Sequence, residues 1–282
     1  MRRSLAAMAL SAALLVPALT STGCRKGPDF GQKWPDPDRK VVASARASID
    51  IGQARHVEES NLGPLDSDWD ALLIRPRVQF DVRLRRGFEF AAEFNGFFTD
   101  ADREEEWEFR GEKISENELD IDGHEFRLLG GWGVDVQRFG RVTVLGGFTG
   151  RHMVLERQFQ DRQSTEVDAD MYFWEFEGRL ALPLRKSTTD LPLTLLASIS
   201  YGRAIDPQAD IDGAGTIEGN HVWLLRARAG FEYRATERLS VYLGGFYEDL
   251  EVAGGVSSDE TAEWADSESV AGGGEVGIRW KF

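Results

Sequence analysis

Ten stretches of this chain alternate apolar and polar residues over about a dozen positions each. Within residues 41–53, for example, Val41 and Ala43 share one face, and Ser44 and Arg46 share the other. Successive side chains of a β-strand point to opposite faces, so this period predicts strands with one apolar face. The ten predicted strands are residues 41–53, 72–84, 88–98, 124–136, 142–152, 172–184, 193–203, 221–233, 239–250 and 270–282, of which the ninth alternates least clearly.

The connections between these strands alternate between short and long. The short connections are residues 85–87, 138–140, 185–192 and 235–237. The long connections are residues 55–70, 99–118, 153–170, 204–219 and 253–268. Short turns at one end and longer loops at the other are typical of barrels that cross an outer membrane.

Alternation alone does not distinguish a barrel in lipid from a soluble barrel, in which the apolar faces point inward. Three features favour lipid: the strands reach the ~9–11 residues needed to cross hydrocarbon, aromatic residues lie near strand ends, and the connections alternate in length. The sequence therefore predicts an all-β fold, a transmembrane antiparallel up-and-down β-barrel over residues 40–282. About ten strands are expected, with eight to twelve as the range, and a soluble lipocalin-like barrel or sandwich is the alternative.

The negative charge of the chain is concentrated in the long connections. The whole chain carries −15 and the five long connections carry −22, so the remainder carries +7. This separation was not used to define the strands, and it supports the placement of the long connections at one end. An acidic chain of this kind gives no basic surface for nucleic acid, so we expect no nucleic-acid partner.

Residues 1–23 have the pattern of a secretory signal peptide, in which two arginines precede an apolar run. The only cysteine, Cys24, follows Thr22 and Gly23. Lipidation of Cys24 and cleavage of an ordinary signal peptide are both open interpretations, and one cysteine allows no internal disulfide. Residues 24–39 contain three prolines and predict a periplasmic N-terminal lead-in.

Two segments carry a resemblance to a known class. The chain ends Val-Gly-Ile-Arg-Trp-Lys-Phe, and residues 231–242 combine a strand, a short turn and a second strand. The ending resembles the C-terminal assembly signal of bacterial outer-membrane β-barrel proteins, and residues 231–242 resemble their hairpins. The assembly-signal residues are Val276, Ile278, Trp280 and Phe282. The resemblance covers about residues 40–282 and does not reach a narrower family.

The resemblance implies insertion by the barrel-assembly machinery of a Gram-negative envelope. It implies a periplasmic N-terminus and external acidic loops, which would lie beside outer-membrane lipid and lipopolysaccharide. The sequence Asp-Ile-Asp-Gly occurs at residues 120–123 and 210–213, but the full spacing of a calcium loop is absent. We therefore expect no metal site and at most weak binding of divalent cations.

The polar faces of the strands predict an interior that carries both signs of charge in near balance. Unpaired charges in a nearly dry interior carry a large desolvation cost, so these side chains should pair across the barrel. The predicted lumen charge network comprises Arg46, Arg75, Arg77, Arg83, Glu89, Glu93, Arg127, Glu175, Glu177, Arg179, Arg226, Arg228, Glu232, Glu275 and Arg279. Asp50, Asp81, Asp135 and Lys281 are expected on the same inward faces. A polar core that closes the barrel is the first interpretation, and a narrow charged channel is the second.

The four histidines, His56, His124, His152 and His221, map near the rim formed by the long connections. Alternation turns the last three outward, and the spacing places no Ser, Asp or second His to complete a catalytic set. An omptin-like protease would share the strand count but has no motif here. We therefore expect no enzymatic activity and no cofactor.

The sequence favours a small, mostly occluded barrel that is a structural component or a narrow, porin-like solute pore. Surface binding or adhesion through the acidic loops is an alternative, and the loop at residues 100–118 carries Trp107 and Phe109 for such a role. A hydrolase at the rim is the third hypothesis.

Overall fold

The computed structural model describes the barrel region of the chain. The described residues are 41–60, 65–84, 87–100, 104–109, 112–136, 140–158, 164–186, 189–212, 215–256 and 263–282. The predicted signal peptide, Cys24 and the lead-in lie outside them.

All ten predicted strands form at their predicted places, and four short strands accompany them. The strands are β1 (Val41–Glu59), β2 (Leu65–Leu84), β3 (Phe88–Thr99), β4 (Glu104–Phe109), β5 (Glu112–Val136), β6 (Gly140–Gln158), β7 (Ser164–Lys186), β8 (Thr189–Ile211), β9 (Gly215–Glu218), β10 (His221–Arg234), β11 (Leu239–Ala253), β12 (Gly255–Val256), β13 (Glu263–Trp264) and β14 (Asp266–Lys281). The short additions are β4, β9, β12 and β13. In the described part of the chain, no helix is long and apolar enough to cross a membrane.

The ten long strands close into a ring of antiparallel neighbours. Their order is β1, β14, β11, β10, β8, β7, β6, β5, β3 and β2, and β2 pairs with β1 again. The closing pair β1–β14 runs in unbroken register from Ser44 opposite Lys281 to Glu59 opposite Asp266. This confirms the predicted fold, an up-and-down barrel of ten strands without an open edge.

In the part of each strand nearer the short connections, the apolar faces point outward and the charged faces point inward. On the outer wall Leu243 and Phe176 are each 66% exposed, whereas Glu275 inside is 1% exposed. A soluble barrel would have the opposite arrangement. The outer wall therefore has the composition that lipid-facing strands need.

The long connections are largely β-structure, which corrects their prediction as loops. β1 runs to Glu59 rather than residue 53, and β7 begins at Ser164 rather than residue 172. β4 forms a hairpin with β5 and also pairs with the start of β2. Backbone N–H and C=O groups need hydrogen-bond partners, and in these segments the neighbouring strands supply them. Strand pairing therefore continues beyond the predicted strand ends.

The barrel changes its polarity along its length. We call the described residues within 54–73, 97–123, 153–173, 204–224 and 250–271 the hairpin half, and the remaining strand residues the short-turn half. On β2 the inward side chains are Trp69, Ala71 and Leu73 in the hairpin half, then Arg75 and Arg77 in the short-turn half. The outward face of β2 changes in the opposite sense, from three exposed aspartates to leucine and isoleucine. The hairpin half thus has the apolar inside and polar outside of a water-soluble barrel.

At the opposite end, two glycines lie beside short connections. Gly140 begins β6 directly after a short connection and has φ 87°, and Gly87 before β3 has φ 89°. Backbone at this φ is strained for any residue with a Cβ, so glycine fits both turns.

Candidate functional site

The interior of the short-turn half is an ionic layer. Among the described residues it holds twelve inward-facing cationic side chains and ten inward-facing carboxylates. The cations are Arg46, Arg75, Arg77, Arg83, Arg127, Arg141, Arg151, Arg179, Arg226, Arg228, Arg279 and Lys281. The carboxylates are Asp50, Asp81, Glu89, Glu93, Glu125, Glu175, Glu177, Glu232, Glu248 and Glu275.

Arg226 of β10 lies where contacts cross the lumen. Its Nε donates to Glu248 Oε2 of β11 at 3.0 Å, and its other nitrogens pair with Glu125 of β5 and with Glu175 of β7, the latter at 3.3 Å. Arg151 of β6 bridges the same group, at 3.0 Å to Glu125 and 2.6 Å to Glu248. Five strands are therefore tied together at this height through the middle of the barrel.

A second group of ion pairs surrounds Glu275 of β14. It accepts from Arg46 at 2.8 Å and from Arg77, and Arg228 lies 3.4 Å away. Arg228 also pairs with Asp50 at 3.2 Å. One carboxylate thus serves three guanidinium groups, which keeps these cations fixed against the wall.

The third group surrounds Arg127 of β5. Its Nη2 contacts Glu175 at 2.5 Å and Glu177 at 2.8 Å, and its Nη1 contacts Glu93 at 3.3 Å. Glu177 also accepts from Arg179 at 2.6 Å. Each of these four contacts joins a guanidinium group to a carboxylate. They are charge-assisted hydrogen bonds, which are stronger than hydrogen bonds between neutral groups.

The structure places all fifteen residues of the predicted lumen charge network inside the barrel. Nearly fully buried are Arg46, Arg75, Arg77, Glu93, Arg127, Glu175, Glu177, Arg226, Glu232 and Glu275. Partly exposed toward the short turns are Arg83, Glu89, Arg179, Arg228 and Arg279. Asp135, also expected in the lumen, is 56% exposed at the rim, where it pairs with Arg141 at 3.0 Å.

Sequence reasoning missed four members of the ionic layer, namely Glu125, Arg141, Arg151 and Glu248. Each continues the alternation of its strand: Glu125 has the phase of Arg127 on β5, and Arg151 has the phase of Arg141 on β6. The two-residue alternation of each strand therefore indicates that these side chains face inward. Arg151 and Glu248 were missed because the predicted fifth and ninth strands alternate weakly in composition. Arg141 lies one residue before the predicted fifth strand, and Glu125 lies at the very start of the predicted fourth strand.

Above the ionic layer, the hairpin half is filled by an apolar layer. Trp69, Phe173, Leu119 and Leu250 are each 2% exposed or less. The layer is formed by Trp69, Ala71, Leu73, Phe97, Leu119, Ile121, Met153, Leu155, Val167, Ala169, Met171, Phe173, Ala209, Ile217, Val222, Leu224, Phe246, Leu250, Val252, Trp264 and Ala271. It closes the lumen toward the hairpins with buried side chains, among which a cavity of about 50 Å³ remains beside Trp69, Phe97 and Leu250.

Below the crossing ion pairs, a cavity of about 180 Å³ extends to the strand ends beside the short turns. We call it the vestibule. Its charged and polar lining is Ser44, Arg46, Arg77, Gln79, Asp81, Arg83, Glu89, Glu93, Arg127, Arg141, Thr143, Glu177, Arg179, Ser198, Ser200, Arg226, Arg228, Tyr242, Arg279 and Lys281. The lining includes ten cations and four carboxylates, so this surface is strongly positive.

His56 is buried inside the hairpin half. Its Nδ1 lies 2.6 Å from Ser269 Oγ and its Nε2 lies 3.0 Å from Glu58 Oε1. Glu58 also pairs with Arg157 at 2.5 Å. Burial alone would raise the pKa of Glu58, but the charge of Arg157 and the contact with His56 outweigh it and lower the pKa to about 2. This is a serine–histidine–carboxylate array that spacing did not predict.

A second histidine group lies on the outer wall. His152 Nδ1 is 3.1 Å from an oxygen of both Asp168 and Asp170, and the His124 and His152 rings are 5.0 Å apart. Sequence spacing gave no acid or second histidine for a rim histidine, whereas strand register brings Asp170 opposite His152. His221 is exposed at the start of β10.

Both histidine groups lack the arrangement of a metal centre. Within the described ranges, no group of three or more His, Cys, Asp or Glu side chains could hold a metal ion. The first Asp-Ile-Asp-Gly segment, residues 120–123, lies within β5, and Asp210 of the second lies within β8. Three of these four aspartates therefore belong to strands, and Asp212 follows the end of β8.

The residues of the predicted assembly signal lie at the end of β14 beside the closing pair. Val276, Ile278 and Phe282 are exposed on the outer wall, at 47%, 54% and 43%. Trp280 is partly buried, and the Phe282 N–H donates to the Ala43 carbonyl oxygen at 3.0 Å. The end of the chain is thus held against β1.

No protein-family model matches this chain, and no curated protein sequence matches it significantly. Among solved structures it is similar to the outer membrane protease OmpT from Escherichia coli, with TM-score 0.59, 12% identity and coverage of 87% of this chain and 97% of that one. It also matches Neisserial surface protein A (TM-score 0.33, 13% identity, 86% and 98% covered) and the translocator domain of the autotransporter NalP from Neisseria meningitidis (TM-score 0.39, 13% identity, 99% and 98% covered). The chain has the fold of bacterial outer-membrane β-barrels, and no narrower family is resolved.

Proposed function

We propose that this protein is a closed, non-conducting barrel that serves as a structural component of the bacterial outer membrane. The observation that carries the proposal is the double closure of the lumen. The ion pairs of Arg226 cross the barrel at mid-height, and the apolar layer fills the space above them. A solute would have to displace both.

The energetics favour the closed state over a narrow pore. Separating one partner from a buried ion pair costs about 3–5 kcal/mol, because the other charge is left without compensation. Arg226 alone contacts three carboxylates. Passage of an ion would also require water in the apolar layer, whose side chains are packed and almost fully buried.

In this proposal the hairpin half faces the outside of the cell and the short turns face the periplasm. The orientation is supported by the general rule that short turns of such barrels are periplasmic. The exposed outer face of the hairpin half carries Asp68, Asp168 and Asp170. These carboxylates would lie beside lipopolysaccharide, with divalent cations bound weakly between them.

Planar-bilayer recording tests the closure. We expect no discrete conductance steps from the refolded full-length protein, with a general porin inserted under the same conditions as the positive control. Conductance steps whose size changes in Arg226→Ala would establish a narrow pore along the ionic layer and would overturn the proposal. Heat-dependent mobility in gels confirms that each sample is folded before insertion.

Surface binding through the hairpin of β4 and β5 is a second candidate. This hairpin is held to the barrel by pairing with β2, and the Arg157 guanidinium lies 5.5 Å from the centre of the Trp107 ring. Glu106 and Glu108 are exposed on the same short strand. The arrangement presents fixed acidic residues, which suits a cationic partner.

Binding of cytochrome c to whole cells that display the protein measures this second function. We expect Glu106→Lys/Glu108→Lys to reduce binding, whereas the charge-matched Glu251→Lys/Glu268→Lys on β11 and β14, also exposed in the hairpin half, should change it less. Equal loss in both variants would mean that only net charge matters, and would remove the hairpin as a specific site.

Hydrolysis is the third candidate, because the E. coli protease shares the fold and Ser269, His56 and Glu58 form an array. The cavity beside this array is only about 50 Å³, and His56 is 1% exposed. A substrate could reach it only if the apolar layer opened. We expect no hydrolysis of p-nitrophenyl butyrate or of peptide substrates, and turnover that Ser269→Ala abolishes would establish the enzyme instead.

A further inference from the structure

We propose that the vestibule is a binding site for a small multivalent oxyanion that enters from the short-turn end. The inference does not depend on whether the barrel conducts, since it concerns only the lower cavity. It follows from the charge, the free donors and the dimensions of the vestibule.

The charge of the vestibule surface is the first argument. Ten cationic side chains and four carboxylates line it. Several carboxylates that balance these cations, among them Glu275 and Glu175, do not line the cavity and lie behind the arginines. Even the complete ionic layer holds twelve cations against ten carboxylates. Excess positive charge in a partly desolvated cavity attracts an anion more strongly than the same charge in water.

The unused donors are the second argument. A guanidinium group has five N–H donors in a rigid fork. The ion pair of Arg83 with Glu89 uses Nε, that of Arg228 with Asp50 and Glu275 uses Nη1, and that of Arg279 with Glu232 uses Nη1. Within the described residues, the other nitrogens of Arg83 and Arg228 take no part in these ion pairs, and neither does Arg279 Nη2, whereas Arg279 Nε is itself buried. Arginine forks match the oxygens of phosphate and carboxylate groups.

The dimensions select the size of the ligand. A volume of about 180 Å³ is far more than one water molecule needs and less than the ~300–1,000 Å³ of pockets for drug-sized ligands. The apolar layer closes the far end. An anion with two or more charges and few atoms therefore fits, and it must leave by the end through which it entered.

Calorimetric titration of the refolded full-length protein with pyrophosphate tests the proposal, with citrate as a second probe and chloride as the monovalent reference. We expect saturable 1:1 binding of pyrophosphate that weakens as salt is raised. Arg228→Gln should weaken it by about tenfold or more, because charge-assisted hydrogen bonds to the ligand are lost. Arg55→Gln, which removes a cation from the exposed outer wall, should leave the affinity within twofold.

A second variant keeps the test decisive if loss of Arg228 prevents folding. Ser198 lines the vestibule and takes no part in the ion pairs, so Ser198→Glu places a negative charge in the cavity and should abolish binding of the anion. Absence of binding of both pyrophosphate and citrate to the native protein at 10 mM, or equal weakening in Arg55→Gln and Ser198→Glu, would overturn the proposal. Binding of citrate but not pyrophosphate would assign the site to carboxylates rather than phosphates.

Discussion

Arg226 is the residue on which the cross-barrel contacts converge. It reaches carboxylates from three other strands, and the sequence separation to Glu125 is 101 residues. Such a contact stabilises the closed ring rather than any single hairpin. A buried ion pair is often no more stabilising than apolar residues of equal volume, so its main effect is to fix which strands meet.

Removal of one carboxylate from the ionic layer should be costly. Glu175→Gln leaves Arg127 and Arg226 without one of their partners, and we expect a loss of about 3–5 kcal/mol in the free energy of unfolding. Urea unfolding in detergent micelles measures it. Asp68→Asn, which breaks an exposed pair with Arg55, should cost less than about 1 kcal/mol. Equal losses would contradict the assignment of Glu175 to a desolvated network.

The free energy of unfolding should depend on pH through the ionisation of Glu58. Its pKa is about 2 in the folded barrel against an ordinary value of 4.5, so its contribution is complete above pH 4.5 and is lost as the pH falls toward 2. We expect the stability difference between the native protein and Glu58→Gln to be largest at pH 7 and to shrink between pH 4.5 and 2. The exposed Gln53 on the same strand gives a control without a titratable group: Gln53→Ala should show no comparable trend.

Within one strand, the reversal of polarity means that outward-facing positions favour apolar residues in the short-turn half and polar residues in the hairpin half. β11 contains Leu243, 66% exposed on the outer wall of the short-turn half, and Glu251, exposed in the hairpin half. In the proposed placement in the membrane, the first position faces hydrocarbon and the second faces water. The same substitution at these two positions therefore has different consequences.

We expect Leu243→Arg to lower the stability in lipid by about 2–4 kcal/mol, the cost of a lipid-facing arginine near the bilayer midplane. Glu251→Arg should stay within about 0.5 kcal/mol, as surface substitutions do. Unfolding from lipid vesicles measures both. If the two variants lost equal stability, the outer wall at Leu243 would not contact lipid.

The strands were predictable from the sequence because each has one apolar and one polar face. The extensions into the hairpin half were missed because their outer faces are acidic, and a rule for lipid-facing strands interprets such segments as loops. Trp69, Ala71 and Leu73 nevertheless continue the phase of Arg75. Partners such as Arg226 and Glu125 were not predictable, because they depend on the stagger between strands that are distant in sequence.

For the whole molecule, the interior should be accessible to water from one end only. The vestibule reaches the short turns, whereas Ala209 in the apolar layer is 0% exposed. In a Cys24→Ser background, Ser198→Cys should react with a small water-soluble methanethiosulfonate reagent in the folded state. Ala209→Cys should react only after unfolding. Rapid labelling of Ala209→Cys would show that the apolar layer opens in the native barrel.

The reversal of polarity along β2 also has an evolutionary consequence. Leu72 and Leu73 are adjacent and identical, yet Leu72 lies on the outer wall and Leu73 lies in the packed interior. Among homologues, aliphatic residues of any shape should be accepted at position 72, whereas position 73 should accept few volumes. Along each strand, apolar side chains should therefore recur at even positions in one stretch and at odd positions in the next. The position at which the apolar alternation shifts by one residue would mark the boundary between the lipid-facing and water-facing parts of the barrel in sequences whose structures are unknown.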